Sequence, residues 1–167
     1  MANNAVRRTD LLSTGDMARF VARGFLRFDG LIPDEINRDF LERVMQDDVR
    51  SHPPGTPLAD CYATCPPISA LLQLPKVAGM IQSLVGLNPL FDHHAVHHCP
   101  PHQARAQDTH ADSIVDVRST AFDIQLMYYP HEVTASMGGT RYIPGSHFRR
   151  INEMAIARYQ NIAGQQH

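Results

Sequence analysis

The spacing of apolar residues changes character between residues 85 and 89, and this change constrains the fold more than any other feature of the chain. Upstream, apolar positions recur at helical spacing. Ile36, Phe40, Leu41 and Val44 form one stripe, and Val77, Ile81, Leu84 and Val85 form another. Such stripes belong to helices that bury one face. Downstream, residues 89–99, 121–129 and 140–143 read as strands, with near alternation in the first two. Helices followed by strands predict an α+β or mainly-β core with helical cover.

Local signals place the boundaries. Residues 1–13 read as a loose start. A short helix is expected over residues 16–23, with Ser13 and Thr14 as candidate caps. Residues 24–28, GFLRF, suit a short strand. A helix over 33–47 follows, with Pro33 in its first turn and Asp34 and Glu35 at its positive end. Residues 51–67 carry Pro53, Pro54, Pro57, Pro66, Pro67 and Gly55, and read as a loop. Pro75–Val85 is the next helix. Met137-Gly138-Gly139 and Pro144-Gly145 are turn signals. A last helix is expected over 148–160, with Ile151, Met154, Ala155 and Tyr159 on one face. No internal repeat is visible.

A length of 167 residues suits one domain, and no linker divides it. The net charge is −2 and the basic residues are scattered, which argues against nucleic acid or an anionic membrane as the main partner. No apolar run has the length of a membrane span. The opening MANNAVRRTD lacks the apolar stretch of a signal peptide. Three cysteines do not make a disulfide framework, so the expected compartment is the cytoplasm.

Histidine is the unusual component. Five of the ten histidines fall at His93, His94, His97, His98 and His102, with His110 just beyond. A zinc site would need three or four of them to converge. A strand places His94 and His98 on one face and His93 and His97 on the other, which fits histidines lining a polar cavity or meeting solvent. Cys61 and Cys65 have no second pair nearby and are read as small packing residues.

His110-Ala111-Asp112 carries more chemistry. On an extended chain the two polar side chains point the same way and can hold one metal ion from one side. Two histidines and one carboxylate with open positions characterise non-haem Fe(II) oxygenases. Chance alone supplies roughly one such triplet in a chain of this composition, so its meaning rests on context.

The context is QDTHADS, then DIQLMYY, then GGTRYIPGSH, with GFLRFDGLIPDE near the start. In this order the segments resemble the phytanoyl-CoA dioxygenase family of Fe(II)- and 2-oxoglutarate-dependent oxygenases, over roughly residues 24–149. The resemblance implies a double-stranded β-helix, or jelly roll, with flanking helices over 14–86 and a partial jelly roll over 88–167, in a single domain. It implies His110 and Asp112 as iron ligands. It makes Gln125 and Met127 candidates to face the cosubstrate 2-oxoglutarate, with O₂ as the oxidant. It implies hydroxylation of a C–H bond in a small-molecule or acyl-type substrate. Related halogenases replace the ligand carboxylate with a small residue, so Asp112 favours hydroxylation. The family's third ligand is a histidine on a late strand, followed by an arginine that pairs with 2-oxoglutarate. Neither is found in this sequence, which therefore looks like a family member truncated at the C-terminus. His147, in the Pro-Gly-Ser-His loop, matches a position that is usually structural in the family. The alternatives are a non-catalytic jelly-roll protein and a zinc-binding module built on the histidine-rich strand.

Overall fold

The computed structural model describes residues 6–46, 56–57, 60, 65–91, 93–94, 108–109 and 124–148. Four helices organise this part: α1 (Thr14–Arg23), α2 (Asp34–Met45), α3 (Pro66–Gln73) and α4 (Pro75–Val85). Helix α1 starts where its side chains dictate. The Ser13 hydroxyl accepts the Asp16 N–H, and the Asp16 carboxylate accepts the Ser13 N–H, a reciprocal cap. The bond from the Ser13 hydroxyl, with its backbone N–H and Arg19, holds the Asp16 carboxyl below its usual range. The helix ends at Gly24, whose φ of 83° suits glycine and whose N–H donates to the Phe20 carbonyl at 2.7 Å.

Helix α2 buries Phe40 and Val44, two members of its predicted stripe. They meet Cys65 and Ile68 of the next unit, with Leu72 and Tyr128 packed alongside. Helices α3 and α4 are joined by a bend of 70° at Leu74. Each begins with proline in its first turn, where the missing N–H costs nothing. Val77, Met80 and Ile81 of α4 form a second core with Leu12, and Leu72 touches both cores. No single helix among the described residues is long and apolar enough to cross a membrane. The α3–α4 pair passes such a test only together, and its apolar residues line these two cores.

The N-terminal segment, expected to be loose, is tied down. A 3-10 turn, Arg8–Asp10, packs against α4 because Gly79 has no side chain there; a methyl group would collide with the Asp10 carbonyl. The Leu12 N–H donates to Ser83 Oγ at 2.9 Å, and Lys76 Nζ donates to the Leu11 carbonyl at 3.3 Å. Arg7 holds the Asp10 carboxyl below the ordinary carboxylate range through hydrogen bonding from its side chain and its backbone N–H.

The mainly-β jelly-roll expectation is overturned. About half of the described chain is helical, and strand pairing is confined to one antiparallel ladder, β1 (Thr56–Pro57) with β2 (His93–His94). Of the expected strands, 24–28 and 140–143 have no strand partner, nor do residues 124–129 of the third. Alternation predicts an extended backbone, and residues 124–129 contain no helix. It does not supply the neighbouring strand whose N–H and C=O groups make a sheet. Helix α3 is a second correction, because its first two residues were expected to close a loop. Of the helix expected over 148–160, only Phe148 is described; it ends a 3-10 turn, Ser146–Phe148.

Candidate functional site

His110 and Asp112 lie outside the described residues, as do His97, His98, His102, Cys61 and His167. Among the described residues, no three histidine, cysteine, aspartate or glutamate side chains come close enough to hold a metal ion. His93 and His94 are placed by their backbone pairing, opposite Pro57 and Thr56 respectively.

Gln125 and Met127 sit on residues 124–148, which run across the helical body as a strap. The backbone alternates in part. Tyr128 turns inward, and Gln125, Met127 and Tyr129 are exposed, as is Leu126 against the pattern. The expected barrel interior is thus an outer face. There the Tyr142 hydroxyl donates to Met127 Sδ, and the Tyr129 hydroxyl, 3.9 Å from the same sulfur, donates to Thr140 Oγ1 at 2.7 Å. A thioether is a weak acceptor, so this cluster offers an apolar, polarisable surface more than a charge-binding one.

Tyr128 anchors one end of the strap. Its ring meets Phe40 edge-on at 5.2 Å, and its hydroxyl donates to Asn37 Oδ1 at 2.6 Å. Asn37 in turn donates to the Ile32 carbonyl at 3.3 Å, so both ends of its amide are used. Burial, and then the neighbouring Cys65 thiol, push the Tyr128 phenol up to about 12. The phenol therefore stays protonated and acts as a donor at neutral pH. No sequence signal marked Asn37 for this bond, because it spans 91 positions.

The Pro-Gly-Ser-His turn anchors the other end. The Gly145 N–H donates to the Arg23 carbonyl at 2.9 Å, and His147 Nε2 donates to the Val21 carbonyl at 2.9 Å. The imidazole lies over Gly24, in space that a side chain there would fill. Phe25 and Tyr142 stack with ring centres 5.3 Å apart. In this arrangement the His147 ring serves the end of α1 through its Nε2. Elsewhere, an open groove of about 360 Å³ runs between α2 and α3. Its lining includes Asp39, Glu42 and Arg43, with no histidine or cysteine among its residues.

No family model, no curated protein and no solved structure matches this chain.

Proposed function

We propose that the chain carries the iron-binding pair of an Fe(II)- and 2-oxoglutarate-dependent oxygenase that acts on a small molecule, with His110 and Asp112 as ligands. The observation that supports this reading is the meeting of motif blocks far apart in sequence. GFLRF and the Pro-Gly-Ser-His turn, two of the segments that carry the family resemblance, lie against each other through Gly24–His147 and Phe25–Tyr142. Iron, when bound, would supply the oxidation of a C–H bond with O₂ and 2-oxoglutarate. The chain's own part is to present an imidazole nitrogen and a carboxylate two residues apart. Met127 and Gln125, some fifteen residues further on, lie on an exposed outer face and are given no part in holding the cosubstrate.

A second reading, a binding protein without catalysis, is favoured by one observation: the described residues lack the sheet that encloses the site in such oxygenases. Anaerobic Fe(II) titration of the full chain, followed by succinate measurement with 2-oxoglutarate and O₂, separates the two. Under the oxygenase reading, one Fe(II) binds per chain, and His110→Ala or Asp112→Ala weakens binding at least about tenfold. Unchanged affinity in both variants would refute the pair. Iron binding that depends on the pair but yields no succinate would favour the second reading.

A further inference from the structure

We propose that the Gly145–His147 turn is a reversible latch that caps helix α1 from a distance and opens without unfolding the helical body. The last four carbonyls of a helix have no partner within it. In α1, the Phe20 carbonyl is taken by the Gly24 N–H, and the Val21 and Arg23 carbonyls are taken by the turn, through His147 Nε2 and the Gly145 N–H. Half of the α1 terminus is therefore capped by residues more than 120 positions away. Both donors also meet the negative end of the helix dipole, a favourable electrostatic contact.

The fit depends on two glycines. Gly145 takes φ of 78° and comes close enough to α1 to pass its N–H to the helix end. Gly24 is the socket: its missing side chain leaves the space in which the imidazole lies. Sequence reading assigned Gly24 to a strand and gave His147 no partner, so neither signal reveals the pair alone.

The latch is built to exchange with water. His147 is exposed, and its neighbour Phe148, whose ring centre is 4.0 Å away, is 66% exposed. Opening trades two protein hydrogen bonds for two to water, which costs little net free energy. The stretch between the two anchors carries a turn at Ala135–Met137 that ends at Gly138, with φ of 74°. This is a position able to absorb a change in backbone direction. At the other end, Tyr128 holds the strap through partly buried contacts with Phe40 and Asn37. The strap thus has one firm end, one exchangeable end and a flexible point between them. This inference does not rest on the oxygenase reading, because it involves no metal.

Amide hydrogen exchange on the full chain tests it, with trypsin cleavage after Arg141 as a second readout. His147→Ala and Gly24→Ala should each speed exchange and cleavage between residues 137 and 148 by about tenfold. Exchange in α4 should stay as it is. His147→Gln, whose amide can still donate to the Val21 carbonyl, should recover part of the protection. The proposal is overturned if both alanine variants leave the strap unchanged. It is equally overturned if α4 accelerates as much as the strap, since the turn would then belong to one cooperative unit.

Discussion

Helices α2–α4 and the strap over residues 124–148 are both rich in apolar side chains, yet the helices bury many of theirs while most of the strap's large ones, Tyr128 apart, stay exposed. Phe40, Val44, Ile68, Leu71, Val77, Met80 and Ile81 are buried, whereas Leu126, Met127, Tyr129, Met137, Tyr142 and Phe148 are exposed. The difference follows from backbone hydrogen bonding. A helix pairs its own N–H and C=O groups, so it needs only one covered face to be stable. An extended segment must find partners outside itself, and the strap finds them one at a time. They are a phenol on an asparagine, a ring on a ring, and two donors on the end of α1. Stability in the helices is pooled in shared cores, and in the strap it is divided among separate contacts.

Ile68→Ala should have the largest effect. Ile68 packs with Phe40, Val44 and Cys65, and the truncation should cost about 2–5 kcal/mol in urea unfolding. Leu126→Ala on the exposed strap should cost under about 0.5 kcal/mol. Equal losses would erase the distinction between the regions. Gly79→Ala comes next. Its methyl group meets the Asp10 carbonyl, a backbone atom that can yield only if the Arg8–Asp10 turn moves. A loss of about 1–3 kcal/mol, with faster hydrogen exchange at residues 8–12, is expected. A neutral result would show that the N-terminal turn behaves like the strap.

Tyr128→Phe is the smallest and the most diagnostic, because Tyr128 joins the regions. At neutral pH it should cost about 0.5–1.5 kcal/mol through the lost bond to Asn37. Its pH dependence has a definite sign. The folded phenol titrates at about 12, against 10.0 for an ordinary tyrosine, so the unfolded chain loses this proton first. The stabilisation is complete below pH 10 and is lost as pH rises from there towards 12. The urea-midpoint advantage of wild type over Tyr128→Phe at about pH 9 should vanish or reverse at about pH 11.5. A constant gap would mean that Tyr128 is not held in a buried, neutral state.

The helices were largely legible because their signals are short-range. Ser13 with Asp16, the stripe through Phe40 and Val44, and Pro75 at the start of α4 each act within a few residues. Pro66-Pro67 misled, since the same dipeptide that suits a loop also opens a helix when Ile68, Leu71 and Leu72 follow. Within the strand expected over 89–99, His93–His94 does pair, but residues 24–28, 124–129 and 140–143 were misread, because alternation reports an extended backbone and says nothing of a partner. At the candidate site, His110 and Asp112 lie outside the described residues, so their spacing remains the basis of a proposal. The role of His147 was legible only as a family expectation, because the partner of its ring is a carbonyl on α1.

By itself, then, the sequence determined that α1, α2 and α4 form and that Phe40, Val44, Val77 and Ile81 lie on buried faces, but not α3 or the role of Gly24 as the stop of α1. What it determined rests on signals between residues a few positions apart. Tertiary structure alone decided that Leu72 joins two cores, that Tyr128 reaches Asn37 and that His147 settles over Gly24. Those contacts span as many as 126 positions, and the path that closes such a loop depends on the packing of every element along it.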